Sequence, residues 1–324
     1  MPAPDSDDRQ KEEAAARLGS ARALMARFRR TPIELRRFTG TERHSETLDG
    51  LRVVHLTDMH FGRVTPERVQ REAVRLANEE KPDLVVITGD FVCHSQMYLD
   101  QLSDVLGSLD APTLGVLGNH DYWSGADEVL AALDRANVEV LRNQNTVLTV
   151  RGQRLQLVGL DDAYTGHHDR EAAVKGLRDD LPCLGLSHIA EEADWLWNKG
   201  ISLVLSGHTH AGQVTLARLH ELSVGKLAGH KYVHGLYGSR RKKQKHPGSV
   251  YVGAGIGAAV MPLRFGDRGR REVTVFELGH ALGSLEEHHQ EQAPLPGRKP
   301  SRALRLKRQE SVKKKAMKRA KKRS

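Results

Sequence analysis

The chain is short of nearly everything that would mark a secreted, disulfide-stapled or membrane-spanning protein. It has two cysteines, Cys93 and Cys183, too few for a disulfide framework, and both stand beside apolar runs. Reduced core thiols in a cytoplasmic setting are the simpler expectation. Residues 1 to 30 contain no apolar stretch long enough for an export signal or a span. There is no P-loop, no Gly-x-Ser-x-Gly elbow and no His-Glu-x-x-His helix, which removes three common routes to phosphate, acyl and peptide chemistry. No internal repeat occurs, and no Pro/Gly/Ser-rich linker breaks the stretch from 33 to 278, so a single catalytic-sized domain is expected there. One lure is present. Gly253-x-Gly255-x-x-Ala258 follows an apolar run as a dinucleotide fingerprint would, but Pro262 and Gly266 interrupt the helix that should come next. A glycine-lined loop returning near the site fits better.

What is present is a repeated arrangement. Five short apolar runs each stop at residues that ligate metals. Val53–Thr57 stops at Asp58 and His60; Leu84–Thr88 at Gly89-Asp90; Thr113–Leu117 at Gly118-Asn119-His120-Asp121. Leu184–Leu186 stops at Ser187-His188, and Leu203–Ser206 at Gly207-His208-Thr209-His210. Continuous apolar runs of this length read as buried strands, and open α/β sheets bind ligands beyond the carboxyl ends of their strands. Each block alone has an ordinary reading as a turn, a cap or a core histidine; five in order do not.

Asp58, His60, Asp90, Asn119, His188, His208 and His210 supply about the ligand count that two divalent cations need. Asp58 and His60, and likewise His208 and His210, are one residue apart, so extended backbone would aim each pair into one cavity. Asp90 has two carboxylate oxygens and is the choice for a bridge. The mixed nitrogen and oxygen donors favour Mn, Fe, Zn or Co over copper-thiolate or calcium sites. A water held between two such cations would be deprotonated near neutral pH and so be a ready nucleophile.

In this order the five blocks resemble the calcineurin-like metallophosphoesterase superfamily, from about residue 33 to 278. Ala211-Gly212-Gln213-Val214 and the stretch from Tyr251 to Gly266 are similar to its envelope-associated bacterial branch, which includes lipid-linked phosphoesterases resembling UDP-diacylglucosamine hydrolases. The resemblance implies that Asp58, His60, Asp90 and His210 hold one metal, and that Asp90, Asn119, His188 and His208 hold the second. It puts His120 over the site as the catalytic residue, donating a proton to the leaving oxygen or stabilising its negative charge. Many relatives have an acid three positions after the bridging Asp to orient that histidine; here the position is Cys93. A neutral thiol cannot set the imidazole's tautomer as a carboxylate would, which leaves Asp121 as the substitute to test.

Amphipathic stretches at Glu67–Glu80, Met97–Leu109, Ala126–Ala136 and Ala190–Asn198 alternate with the strands, giving an α/β fold. Thr146–Val150, Leu155–Leu160, Gln213–Leu216, Ser249–Val252 and Glu272–Leu278 are read as a second sheet. Two mixed sheets flanked by helices match the four-layer α/β/β/α sandwich that the resemblance implies. Residues 1–32 read as an amphipathic helical extension, 33–279 as the catalytic domain and 280–324 as a basic tail.

From Arg298 to Ser324 there are 14 Lys and Arg against one acid, Glu310, so a tail of net +13 leaves residues 1–297 at −4 of the chain's +9. Composition this charged gives disorder or a solvated helix. Such a tail binds polyanions by counterion release, either an anionic membrane surface, placing the protein peripherally on the inner membrane face, or nucleic acid. Few aromatics interleave its charges, which weakens base-reading. Arg240-Arg241-Lys242-Lys243-Gln244-Lys245 is a second basic cluster. The expected activity is hydrolysis of a phosphate monoester, diester or pyrophosphate bond, on a lipid-linked or nucleotide-sugar substrate. The alternatives are a nucleic-acid phosphodiesterase using the same metals and a catalytically dead metal scaffold.

Overall fold

The apolar runs form strands because neither of their faces meets water. The computed structural model describes residues 33–212, 228–238, 248–258, 270–285, 292–297 and 300–323. Its first sheet has six strands, in the spatial order β1 (Ile33–Thr39), β12 (Arg271–Leu278), β2 (Leu51–Leu56), β3 (Leu84–Thr88), β4 (Thr113–Val116) and β5 (Val138–Val140). The second is ordered β10 (Gly235–Gly238), β11 (Ser249–Val252), β9 (Leu203–Ser206), β8 (Cys183–Ser187), β7 (Gln153–Leu160) and β6 (Gln144–Val150). β2, β3, β4 and β5 run parallel, as do β7, β8, β9 and β11. Antiparallel pairs β12–β2, β10–β11 and β6–β7 make both sheets mixed.

Side chains alternate across each strand and divide the core into layers. Val53, Leu84, Val86, Leu114 and Val116 of the first sheet meet Leu155, Leu157, Leu184, Leu186, Leu203 and Leu205 of the second. The intervening Val54, Leu56, Val85 and Ile87 face the helices α2 (Glu67–Glu79), α3 (Leu99–Leu106) and α5 (Ala126–Arg135). These helices bury stripes at three- and four-residue spacing, such as Ala73, Val74 and Ala77 or Val129, Ala132 and Leu133. The outer face of the second sheet is covered by shorter pieces, α6 (Arg170–Ala173) and α7 (Ala193–Leu196). The result is the expected four-layer sandwich. α1 (Glu42–Thr47) and α4 (Asn119–Ser124) lie in connections.

One strand is assigned differently by the structure. Glu272–Leu278 was expected in the second sheet, but β12 lies in the first, between β1 and β2. Its run is buried on both faces, so hydrophobicity could not tell which sheet it enters. The amphipathic extension of residues 1–32, the strand Gln213–Leu216 and the basic cluster at 240–245 lie outside the described residues. The tail is helical over α8 (Arg302–Arg323), and no described helix is long and apolar enough to cross a membrane.

Candidate metal centre

The five blocks divide three to two between the sheets. β2, β3 and β4 deliver the first three, β8 and β9 the last two, so the centre lies where carboxyl ends from both sheets meet. The turns are sharp. Asp58 (φ 49°), His60 (44°), Asp90 (53°), His208 (76°) and His210 (51°) all have left-handed backbone. Extended backbone therefore does not aim the Asp58/His60 and His208/His210 pairs; consecutive left-handed turns do. Each such residue costs about 1–2 kcal/mol and persists only where its surroundings hold it.

Those surroundings are visible. Asp58 and His60 donate their backbone N–H groups to the carbonyls of Gly89 and Asp90, at 3.1 and 3.0 Å, so the first two blocks are laced together. The glycine-rich loop after β11 runs behind them, with Gly257 N–H donating to Asp58 O at 2.7 Å. A Cβ on Gly257 would stand 2.6 Å from His60 Cβ. A Cβ on Gly207 would overlap Thr57 Oγ1 and Asp58 Oδ2, and these close approaches explain why both positions are glycine. His208 N–H donates to Asp58 Oδ2 at 3.0 Å, tying the fifth block to the first.

Side chains converge in two groups that share Asp90. Asp58, His60, Asp90 and His210 place ligand atoms within 4.8 Å of one another, and Asp90, His188 and His208 do the same. His60 Nε2 is 2.9 Å from His210 Nε2 and 3.6 Å from Asp90 Oδ2. His188 Nε2 lies 3.4 Å from the other Asp90 oxygen and 3.2 Å from His208 Nδ1. His188 Nδ1 donates to the Thr88 carbonyl at 2.7 Å, which turns Nε2 toward Asp90. Asn119 opens α4, buried, with no partner for its Oδ1, and Asp58 Oδ1 is likewise buried without a hydrogen bond. Buried oxygens left unsatisfied, and imidazole nitrogens spaced as neighbours in a coordination sphere of about 2 Å radius, fit divalent cations.

The electrostatics of the metal-free centre follow from burial and from this geometry. Burial pushes the Asp58 carboxyl up to about 7, against the opposing pull of His188. Burial also disfavours charge on His188, but Asp90, with Asp58 and Asp162 beyond, lifts it to about 10. At Asp90, burial is outweighed by His188, His120 and His60, which hold its carboxyl well below the usual range. His208 is driven well below 6.5 by burial and by the neighbouring His188.

His120 follows Asn119 on α4, with its backbone N–H donating to Asp90 Oδ1 at 2.8 Å and its Nε2 3.9 Å from Asp90 Oδ2. Burial lowers its pKa. Cys93, His60 and His120 have their ligand atoms within 4.8 Å of one another, and burial with the Asp90 charge pushes the thiol up to about 11. Asp121 does not replace the missing carboxylate. Its two oxygens accept from Val92 N–H at 3.1 Å and Gly118 N–H at 2.9 Å, so it braces the loops instead. His234 pairs with buried Glu272 at 3.0 Å, in a cluster with Tyr251 and Arg36 beneath the glycine loop.

Three residues that sequence reasoning passed over rim the centre. His94 stacks on Trp123 and lies 4.3 Å from the His120 ring. Trp123 meets Tyr164 edge-on at 5.9 Å, and Tyr164 is 5.1 Å from the His208 ring. None sits in a spaced motif; only their positions after the second and third blocks and after β7 hinted at them.

The calcineurin-like phosphoesterase family matches residues 51–212. The chain is 31% identical over 236 residues to the uncharacterized metallophosphoesterase YkuE of Bacillus subtilis, covering 71% of this chain and 79% of that protein. It is 31% identical over 235 residues to the phosphodiesterase YaeI of Escherichia coli, covering 70% and 82%. Among solved structures, TT1561 of Thermus thermophilus aligns with a TM-score of 0.45 at 14% identity, over 64% of this chain and 91% of that one.

Proposed function

The chain belongs to the calcineurin-like phosphoesterase family, and from that premise we propose that it is a binuclear hydrolase of phosphodiesters. Metal-dependent hydrolysis of phosphoric esters is the activity of the family; the two-cation ligand set and the diester preference are our reading. The observation that carries it is the buried Asp90 carboxylate, whose two oxygens face two separate groups of donor atoms. Asp58, His60, Asp90 and His210 would hold one cation, and Asp90, Asn119, His188 and His208 the other. Bound there, divalent cations supply charge neutralisation for the phosphate and activation of water.

The protein's own groups do the rest. Thr57 Oγ1 donates to Asp58 Oδ2 at 2.8 Å and the Thr88 carbonyl fixes the His188 ring, so ligand orientation is set before any cation arrives. His120 is mostly buried against Asp90, His94 and Trp123. From there it can give a proton to the leaving oxygen. Cys93, held as a thiol, lends that imidazole no charge.

The diester preference leans on YaeI, a relative named as a phosphodiesterase. The envelope-branch likeness points to a lipid-linked or nucleotide-sugar ester. A second reading, a nucleic-acid phosphodiesterase, draws on α8, which has 12 Lys and Arg against one acid. That reading requires nucleic-acid cleavage that falls steeply with salt and is lost on deleting residues 298–324. The primary test is hydrolysis of bis(p-nitrophenyl) phosphate by purified protein loaded with Mn, Fe, Zn or Co. Asp90→Asn and His208→Ala should abolish turnover while circular dichroism stays native. Wild-type rates in either variant would refute the assignment.

A further inference from the structure

The C-terminal helix is seated on the rim of the metal centre. α8 packs on α4, the element that bears Asn119 and His120. Its inward stripe is Arg308, Ser311, Val312 and Lys315, spaced three and four residues apart and half-buried, while most of the helix is exposed. The Arg308 guanidinium lies over Tyr164, its Cζ 3.6 Å from the ring centroid, and Lys315 Nζ sits 4.0 Å from the Trp123 centroid. Gln309 closes against Gly166 in the same loop. That loop is rigid, because Asp162 accepts from the backbone N–H groups of Tyr164 and Thr165 at 3.1 and 2.7 Å.

Such a seat is unusual for a helix this basic, since no apolar stripe drives it there. Cation–π contacts contribute to it and leave the Arg308 Nε edge able to donate. Arg308 Nε and Trp123 Nε1 are both buried without a hydrogen-bond partner, and no carboxylate pairs with Arg308 among the described residues. Two buried donors without acceptors are costly, and both border Tyr164, whose ring is 5.1 Å from that of His208. An anion bound here would give such a donor the acceptor it lacks.

We propose that Arg308, with Trp123 and Lys315, forms a subsite for a second anionic group of the substrate, beside the phosphate being hydrolysed. This rests on the phosphoesterase reading and narrows it to esters bearing a further phosphate. The tail is thereby part of the substrate site. Either a nucleotide or a phosphorylated lipid headgroup offers that chemistry.

Calorimetric binding to the metal-loaded full chain, with hydrolysis of the ligand followed in parallel, tests the subsite by a readout other than turnover, using matched pairs that differ by one phosphate. Adenosine 3′,5′-bisphosphate against adenosine 5′-monophosphate probes a nucleotide source. Short-chain phosphatidylinositol 4-phosphate against phosphatidylinositol probes a lipid one. In at least one pair the wild type should prefer the doubly anionic ligand. Arg308→Ala should cut that preference about ten- to a hundredfold, as expected for a charged hydrogen bond, and Arg308→Lys should restore it partly. Lys313→Ala, a charge-matched change on the exposed face, should leave the preference within twofold. Three results would overturn the subsite: no preference in either pair, an Arg308→Ala preference equal to wild type, or an equal loss in Lys313→Ala, which would mean diffuse attraction only. Faster bis(p-nitrophenyl) phosphate turnover after deletion of residues 298–324 would also overturn it, making the helix an obstructing lid. Ligand preference without any hydrolysis would count against the phosphoesterase reading and leave the subsite standing.

Discussion

Metal uptake should expel a proton from His188, and the number can be worked from the buried pair it makes with Asp90. Asp90 lies 3.4 Å from His188 Nε2 and outweighs the burial that disfavours the imidazolium, lifting its pKa to about 10. A cation accepts only the neutral nitrogen. At pH 7.5 nearly every His188 must therefore surrender its proton, and Asp58, at about 7, adds roughly a quarter of one. Apparent metal affinity should rise about tenfold per pH unit between 7.5 and 9 from the His188 proton alone, or ~1.4 kcal/mol per unit. The same shift stabilises the metal-free fold below the ordinary imidazole pKa, and that contribution is lost as the pH rises through about 10.

Calorimetric titration of the metal-free protein in two buffers of different ionisation enthalpy counts the protons released. A parallel NMR titration of the His188 imidazole locates its pKa directly. Asp90→Asn removes the partner that lifts it, so burial should then prevail and leave His188 neutral at pH 7.5. Wild-type metal binding at pH 7.5 with no proton release, or an unmoved His188 titration in Asp90→Asn, would refute the reasoning.

His120→Ala should lower turnover by about 10²–10⁴ with metal content unchanged, as checked by elemental analysis and steady-state kinetics; lost metal would make His120 a ligand. Cys93→Asp places a carboxylate beside His120, so the basic limb of the pH–rate profile should move up; an unmoved limb would mean position 93 does not act on that ring. Gly207→Ala forces a methyl into Thr57 and Asp58, which should cost about 1–3 kcal/mol in denaturant unfolding and weaken metal retention. Glu272→Gln strips a buried carboxylate from Arg36 and His234, at 3.1 and 3.0 Å, and should cost about 3–5 kcal/mol in thermal or chemical unfolding. Despite burial, the Arg36 guanidinium and the His234 ring beside it hold Glu272 well below the usual carboxylate range. Its contribution is thus full above the unfolded pKa and disappears as pH falls toward the folded one. A Gln variant as stable as wild type at pH 7 would refute this.

What could be read from the residues alone was whatever repeats in a line. Val53–Thr57 and its four counterparts are continuous apolar runs because two layers cover them, and each ends in a short polar block, so strands and candidate ligands are visible together. Layer membership is not visible in this way. β12 is buried on both faces and equally compatible with either sheet, and only its pairing with β1 and β2 decides. Nor does spacing reveal backbone sign. Asp58 and His60 converge through left-handed turns held in place by the Gly257 amide and by the Gly89 and Asp90 carbonyls, and an i, i+2 rule for extended chain reaches the right cavity by the wrong route. The rim was illegible for a further reason. His94, Trp123 and Tyr164 are single residues on three different connections, and α8 reaches Tyr164 and Trp123 with Arg308 and Lys315 rather than with a hydrophobic stripe. Composition treats those two cations as interchangeable with the other ten in the helix. Only the aromatic faces beneath them separate a cation placed at the site from one left in water, and such faces exist only once the loops after β4 and β7 have folded.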